Sequence, residues 1–272
     1  MKNQKRFLSI HQRKISGFSL LEVFISITIS LILLAGVLQI FLNAKTTYNL
    51  ESGFTQLQET GRFIEQYIVK TIRLAGYRTP QGQSNNFIAI TTVFPTTLPF
   101  ISGSDGSGVN GSDTLVVRYQ GSGNGTGTPD GTIVDCLNVP VDANTMVTNT
   151  FSLTANLELQ CRAQNPNSAT PDNTQTLISG VENFQVLYGE DTNGDDAADR
   201  YVPANYASLN WANVVSIRLS LLLRSDNQVN PFTENRSFYM LGTTYTPATA
   251  DRYLRNQLTF TVVLRNLIAK TD

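Results

Sequence analysis

The feature that most constrains this chain of 272 residues is an uncharged apolar run near its N-terminus, from Val23 to Ala44. As a helix, the run would be about 33 Å long, enough to cross a bilayer core of about 30 Å. Glu22 stands directly before it, where a carboxylate is costly in lipid unless it reaches the interface or finds a partner. We therefore predict a membrane-anchor helix over residues 18–44, preceded by a leader over residues 1–17.

A secretory signal peptide and a plain signal anchor are the common explanations of such a run. A signal peptide has an apolar core of about 7–15 residues followed by a small-residue cleavage site, and this run is longer and lacks that site. A signal anchor, with its N-terminus held in the cytoplasm by basic residues, explains the topology but gives Glu22 no role.

The helix is predicted to continue over residues 45–78, because no proline occurs between Phe18 and Thr79 and Pro80 closes the element. Apolar and small residues recur there at steps of three and four, which forms one face of an amphipathic helix. This stripe consists of Leu50, Phe54, Leu57, Gly61, Ile64, Ile68, Ile72 and Ala75. Because such a face normally packs in a core, we expect it to dock on a sheet.

Residues 79–272 are predicted to form a β-rich body. The clearest signal is Val214–Arg224, whose alternation of apolar and polar residues predicts a half-buried strand. The other predicted strands are Phe87–Val93, Thr114–Tyr119, Thr132–Cys136, Leu157–Cys161, Phe184–Tyr188, Arg236–Leu241 and Leu258–Arg265. A long helix followed by antiparallel strands gives an α+β fold.

Residues 101–131 are rich in glycine and are predicted to be loop on either side of the strand Thr114–Tyr119. The stretch Gly121–Gly127 lacks the Gly-Lys-Ser/Thr ending of a phosphate-binding loop and has no strand–loop–helix context. We expect a flexible surface loop there.

Histidine content excludes several kinds of catalysis. The one histidine is His11, inside the leader, so a cleaved chain would contain none. Catalysis by Ser-His-Asp or Cys-His groups and any His-ligated zinc or haem are thereby excluded. Two cysteines are too few for a four-cysteine metal site within one chain. We expect a protein that is not an enzyme.

The charges are unevenly distributed. The leader holds five basic residues and no acidic one, which leaves 15 basic and 21 acidic residues in 18–272. The five are Lys2, Lys5, Arg6, Arg13 and Lys14. Because a body that binds nucleic acid directly needs a basic surface, direct binding of nucleic acid is not indicated.

One loop has ligand-like spacing. Asp191, Asn193, Asp195 and Asp199 stand at relative positions 1, 3, 5 and 9, as in the first part of a calcium loop. Asp196 occupies the usual position of a glycine, and Val202 stands where a glutamate would be expected. These residues are therefore a candidate calcium site, and a polar hairpin turn with solvated acids is the alternative.

The segment from Lys14 to Val23, Lys-Ile-Ser-Gly-Phe-Ser-Leu-Leu-Glu-Val, resembles the prepilin peptidase site of type IV pilins and pseudopilins. The resemblance implies cleavage after Gly17 and N-methylation of the new N-terminal residue, Phe18. It also implies that Glu22, fifth in the mature chain, pairs with the N-terminal amine of a neighbouring subunit. The uncharged run would then serve first as the anchor and later as part of the filament core.

Cys136 and Cys161 are predicted to form a structural disulfide. The body follows a membrane anchor and is expected in the periplasm or outside the cell, where oxidising conditions favour disulfides. The two cysteines are not in a C-x-x-C arrangement, which argues against a redox role. Two free buried thiols are the alternative.

The body resembles the large minor pilins of the PilW type. The resemblance rests on the helical segments Leu57–Phe63 and Arg73–Tyr77 and on several segments of the body, including the two-cysteine segment and the acidic loop. The other body segments that carry the resemblance are Asp113–Tyr119, Val181–Gly189 and Val214–Arg224.

This resemblance implies a structural minor pilin of a Gram-negative type IV pilus, which helps prime pilus assembly and supports twitching motility, adhesion or DNA uptake. Implied partners are prepilin peptidase, other minor and major pilins, the inner-membrane pilus assembly machinery and a possible tip adhesin. Implied locations are the inner membrane, with a periplasmic C-terminal domain, and then the surface pilus. The alternative is a minor pseudopilin of the J type in a type II secretion system.

Overall fold

The computed structural model describes residues 17–81, 87–93 and 99–268 of this chain. Of the predicted leader only Gly17 falls within this part; the five basic residues and His11 lie outside it. By its internal contacts the chain divides into two compact units, Met1–Tyr48 and Asn49–Asp272. Helix α1, Leu20–Arg73, contributes residues to both units, and the predicted long N-terminal helix is confirmed.

In the first unit, three hydroxyl groups of α1 form hydrogen bonds within the helix. The hydroxyls of Ser26, Thr28 and Ser30 donate to carbonyl oxygens four residues back at 2.7–2.8 Å. Such bonds remove exposed donors from an apolar surface. Within the described residues, α1 is the one helix long and apolar enough to cross a bilayer, and no residue of its most apolar stretch is buried.

In the second unit, α1 buries one face against the body, as the stripe predicts. Leu57, Ile64, Ile68 and Ile72 are buried, and Ala75 lies just beyond the helix on the same side. The prediction is wrong for Phe54, whose side chain is 49% exposed, while Gly53 is buried. The body approaches this glycine closely, because a Cβ placed there would lie 2.9 Å from Val229 Cγ2.

The helix ends at Arg73, five residues before the predicted boundary at residue 78. The amides of Leu74 and Ala75 bond back three residues, which tightens the last turn. Gly76 then adopts a φ of +72° and donates its N–H to the Arg118 carbonyl. A glycine tolerates this left-handed conformation without strain, which accounts for the stop before Pro80.

The body contains twelve strands among the described residues, and a short C-terminal helix follows them. The strands are β1 Thr92–Val93, β2 Ile101–Ser104, β3 Thr114–Gln120, β4 Thr145–Leu153, β5 Glu158–Gln164, β6 Asp172–Ser179, β7 Val181–Glu190, β8 Arg200–Val202, β9 Val214–Arg224, β10 Phe238–Met240, β11 Thr243–Tyr245 and β12 Arg255–Val263. Helix α2 is Arg265–Ile268.

These strands form two main sheets and one hairpin. The first sheet has the order β2-β3-β4-β5-β6, with β1 pairing in parallel with β4. The second has the order β12-β9-β7-β8, and β10 and β11 form the hairpin. All pairs except β1 with β4 are antiparallel, so the predicted α+β fold with an antiparallel body is confirmed.

Several predicted strands differ from those observed. Thr132–Cys136 forms no strand and makes one isolated bridge, between Val134 and Pro140. Within the predicted strand Phe87–Val93, the observed strand is the two-residue β1, Thr92–Val93. The predicted loop over residues 101–131 contains β2, and strands β4, β6, β8 and β11 were not predicted. Strands β4 and β6 include Asn149, Asp172 and Asn173, and these residue types are depleted in strands.

The boundaries of β9 match the prediction, but its burial does not. Ile217, Leu219 and Leu221 face the main core, as expected. The opposite face is also buried at Ser216, Ser220 and Leu222, and Leu222 packs against Phe238 and Met240 of the hairpin. The strand is therefore largely covered on both sides rather than half-buried.

A polar seam joins the two sheets ahead of β3. The Asp113 N–H donates to the Phe184 carbonyl at 2.8 Å, and its carboxylate accepts from Val186 N at 2.7 Å. The Ser112 hydroxyl accepts from Phe184 N at 3.2 Å. Burial raises the pKa of Asp113 to about 6, although the backbone donors Gly106 and Val186 oppose the shift. The sheets thus meet through backbone pairing as well as through a shared core.

A disulfide joins Cys136 to Cys161, as predicted. Cys161 lies in β5, and Cys136 lies in the loop between β3 and β4, where its N–H donates to Asn149 Oδ1 at 2.9 Å. The Tyr67 hydroxyl of α1 donates to the Cys136 carbonyl. The bridge therefore fixes a loop that also contacts the helix.

Replacing both cysteines with serine should lower the free energy of unfolding by about 3 kcal/mol, because the bridge closes a loop of 25 residues. The melting temperature measured with and without a reducing agent checks this value. The wild type should melt lower when reduced, whereas the double variant should not respond. A wild type that is indifferent to reduction would contradict a stabilising role.

Candidate functional site

The predicted processing site lies just before helix α1. Gly17, Phe18 and Ser19 are exposed and non-helical, and Phe18 is 83% exposed. A Cβ added to Gly17 would meet no atom within 4 Å. The Gly17–Phe18 bond is therefore accessible, and the structure gives Gly17 no packing role.

Glu22 lies in the first turn of α1, where a negative charge is stabilised by the helix dipole. Its N–H donates to the Ser19 carbonyl at 3.0 Å. Within the described part of the chain its exposed carboxylate forms no ion pair. Ser19 stands three residues before Glu22, the spacing of a helix-capping pair, and the sequence analysis missed this signal. The carboxylate thus suits the helix start and remains open to an external partner.

The first unit exposes an apolar surface far larger than a soluble monomer tolerates. Sixteen large apolar side chains between Leu20 and Leu42 are exposed: Leu20, Leu21, Val23, Phe24, Ile25, Ile27, Ile29, Leu31, Ile32, Leu33, Leu34, Val37, Leu38, Ile40, Phe41 and Leu42. This surface requires lipid or other apolar helices as its surroundings.

One polar pair interrupts that surface near its end. Gln39 Nε2 donates to Asn43 Oδ1 at 3.2 Å, one turn further along the helix. The bond satisfies one donor and one acceptor and leaves the other amide atoms of both side chains available. In an apolar environment such groups favour hydrogen bonds to a neighbouring helix.

The acidic loop between β7 and β8 is held by its own hydrogen bonds. The Asp191 carboxylate accepts from the N–H groups of Asn193, Gly194 and Asp196 at 2.6–3.0 Å. The Asp199 carboxylate accepts from the N–H and the hydroxyl of Thr192, both at 2.7 Å. These hydrogen bonds lower the pKa of both carboxyl groups. The largest cause is the N–H of Gly194 for Asp191 and the N–H of Thr192 for Asp199.

Two of the four predicted calcium ligands, Asp195 and Asp199, converge on the side-chain amide of a third, Asn193. Asn193 Nδ2 donates to Asp195 at 3.3 Å and to Asp199 at 3.2 Å, while Asn193 Oδ1 accepts from Asp195 N at 2.9 Å. Asp196 takes a φ of +63° at the position where a calcium loop has glycine. The described residues contain no group of three or more His, Cys, Asp or Glu arranged to hold a metal ion. The geometry favours the hairpin turn, and calcium at this loop stays a prediction.

An open groove of about 690 Å³ lies on the face of the second sheet that carries Arg218 and Thr259. Arg218 stacks over the ring of Tyr201 at 4.0 Å and donates from Nε to Thr261 Oγ1 at 3.4 Å. Asp105, which also lines the groove, accepts from Asn205 Nδ2 at 2.6 Å. The charged groups of Arg218 and Asp105 thus contact uncharged partners. The groove presents aromatic and hydrogen-bonding side chains.

Residues 146–266, which include strands β5 to β12, match the family model described as Type IV pilus-assembly protein W, PilW. The match confirms the PilW resemblance seen in the sequence and supports a pilin-like role. No curated protein matches the chain.

Solved structures of low identity are also similar. A type IV-like pilin from Thermus thermophilus is 16% identical over 78% of this chain and 98% of its own, with a TM-score of 0.45. A chain from a complex of two pseudopilins of the type 2 secretion system of Vibrio vulnificus is 9% identical over 78% of this chain and 95% of its own, with a TM-score of 0.34.

Replacing Asp191 with alanine should lower the melting temperature, because three backbone N–H groups lose their common acceptor. The lowered pKa of Asp191 means that its carboxylate stabilises the folded state above the unfolded value of 3.8 and loses that effect as pH falls through the folded value. Melting curves from pH 7 downward should show the gap between wild type and variant narrowing below about pH 4. A gap that widens on acidification would contradict this account.

Proposed function

We propose that this chain is a structural minor pilin of a type IV pilus, matured by prepilin peptidase between Gly17 and Phe18. The observation that carries the proposal is the PilW match over residues 146–266, in a chain whose N-terminus has the prepilin signature from Lys14 to Val23. Each feature lies in a different unit of the chain, and a pilin requires both.

The N-terminal half of α1 has two successive roles in this proposal. It first anchors the subunit in the inner membrane, with the body in the periplasm, and its length and composition suit a bilayer. It then leaves the membrane and packs among the helices of other pilins. Both environments cover the same exposed apolar surface, so the transfer exposes little of it to water.

Glu22 selects the register of that packing. In the mature chain its carboxylate pairs with the N-terminal amine of Phe18 on a neighbouring subunit. Removing one partner of a buried ion pair costs about 3–5 kcal/mol, because the remaining charge is left unpaired. The exposed position of Glu22, without an ion-pair partner in the described residues, leaves it available for this contact.

The body acts through contacts and not through turnover. It associates with other minor and major pilins in a complex that primes pilus assembly, and the inner-membrane assembly machinery extrudes the filament. Through the pilus the chain supports twitching motility, adhesion or DNA uptake. A minor pseudopilin of a type II secretion system shares the N-terminal requirements, and the first experiment distinguishes the two.

Deleting the gene should remove surface pili and twitching while a reporter enzyme of type II secretion is still exported. Electron microscopy, a motility assay and reporter activity in the medium measure the three outcomes, and a plasmid copy of the gene should restore the first two. Loss of export with intact pili would instead identify a pseudopilin.

Replacing Glu22 with alanine should leave synthesis, cleavage and membrane insertion unchanged but reduce the amount of this chain in sheared filaments. If the Glu22 ion pair contributes about 3 kcal/mol to packing in the filament, its loss should decrease incorporation roughly a hundredfold. Ser26→Ala is the matched control, because the Ser26 hydroxyl donates to the Glu22 carbonyl within its own helix. Equal incorporation of Glu22→Ala and Ser26→Ala chains would show that the register role is wrong.

A further inference from the structure

Strand β12 lies at one edge of the second sheet and pairs with β9 on one side only. At its two ends, the N–H of Ser225 donates to the Leu254 carbonyl and the N–H of Leu264 donates to the Val215 carbonyl, both at 2.9 Å. Because alternate residues of an antiparallel strand bond to the same neighbour, the even-numbered residues of β12 bond to β9. The odd-numbered residues therefore direct their backbone N–H and C=O groups away from the sheet.

The outward backbone groups belong to Gln257, Thr259, Thr261 and Val263, and all four residues are exposed. The hairpin contacts the start of the strand, where the Tyr239 carbonyl accepts from Gln257 Nε2 at 2.9 Å. Within the described residues, no backbone group of these four residues bonds to another segment. The strand thus presents a row of unpaired donors and acceptors along its outer edge.

The other edge strands of the described sheets lack such a row. All of them except β6 have two to four residues. Strand β6 pairs with β5 through a register shift and begins with the charged residue Asp172. Strand β12 has nine residues in one register, and from Asn256 to Val263 it contains neither a charged residue nor a proline. Proteins normally protect edges by shortness, charge, proline or bulges, because a long regular edge pairs with further strands.

The side chains of β12 indicate which kind of strand would pair with it. Leu258 and Phe260 pack against the main core but are only partly buried. On the opposite face, Thr259 and Thr261 are exposed hydroxyl-bearing residues. A fitting partner strand covers the first pair with apolar side chains and places hydroxyl-bearing or β-branched side chains beside the second. It is therefore an uncharged strand in which apolar and small polar residues alternate.

We propose that β12 binds the edge strand of a different pilin subunit, so that the second sheet continues from one subunit into the next. Backbone hydrogen bonds would provide the contact, and the alternating side chains would fix its register. This inference rests on the proposed function, in which the body acts by associating with other pilins.

The direction of the helix favours a different pilin over a second copy of this chain. Helix α1 and β12 run in the same direction: a Cβ placed on Gly53 would lie 3.0 Å from Leu254 Cδ1, and Asn266 Nδ2 donates to the Arg73 carbonyl at 2.9 Å. Antiparallel pairing of β12 with β12 of a second copy would reverse this part of α1 in one of the two chains. In the proposed filament all subunits have the same direction, which is incompatible with that pairing.

Hydrogen exchange of the full-length chain, measured by mass spectrometry at residue resolution, tests the pairing directly. In the purified chain in detergent micelles, the amides of Thr259, Thr261 and Val263 should exchange much faster than those of Leu258 and Phe260, which bond to β9. In filaments sheared from cells, the three outward amides should exchange at least about tenfold more slowly than in micelles. The two inward amides should remain slow in both samples and serve as the internal control.

Thr261→Pro removes one outward donor and leaves the bonds to β9 intact, because an edge strand tolerates proline where its N–H faces away from the sheet. The amount of this variant in sheared filaments should fall about tenfold or more, since an acceptor on the partner strand loses its donor. Thr261→Ala is the matched control: it loses the same hydroxyl contact with Arg218 but keeps the N–H, and it should enter filaments at the wild-type level. The two variants should melt at similar temperatures in micelles.

Two results would overturn strand addition and leave the proposed function intact. One is unchanged exchange of the outward amides in filaments that contain the wild-type chain, and the other is equal incorporation of the two Thr261 variants. Slow exchange of these amides already in the purified chain would also refute it, because the edge would then be covered by the chain itself or by a second copy. A wild-type chain absent from filaments would refute the proposed function and this inference with it. If Thr261→Pro does not fold, the exchange measurement on the wild type decides.

Discussion

The body depends on one packing interaction, the burial of the α1 face between Gly53 and Ala75 in the shared core of both sheets. Ile64, Ile68 and Ile72 are fully buried and lie in one core cluster with residues of β3, β7 and β9. Most of the other fold features secure this core. The polar seam at Asp113 joins the sheets, and the disulfide fixes a loop bound by Tyr67.

The first half of α1 imposes a different requirement, because its apolar side chains find no cover in the described structure. In water such a surface aggregates, so lipid or other helices must surround it. A carboxylate at the start of that helix is costly in either environment unless it is paired, and this cost gives Glu22 its proposed selectivity. In the proposed function, membrane anchoring and filament packing are two uses of one surface, and the chain acts by association.

The elements that were predicted correctly are those that a local sequence pattern determines. The uncharged run, the helical stripe and the alternation in β9 gave the long helix and the bounds Val214–Arg224. The pattern misplaced Phe54 and missed Gly53, because the position of Val229 determines which side chain fits there. Coverage of β9 by the hairpin, and burial of Asp113 and Asp142, arise from contacts between distant segments. A polar residue in the sequence shows neither its burial nor its partners, so the burial of these two aspartates required the structure.

The central claim is that this chain is processed and then enters a filament through its N-terminal helix. Mass spectrometry of filaments sheared from cells tests it most directly, by identifying the N-terminal peptide of this chain and comparing it with the membrane fraction. The account predicts a peptide that begins at Phe18, carries an N-methyl group and is present in the filament fraction. A chain found only in membranes, with residues 1–17 still attached, would contradict it.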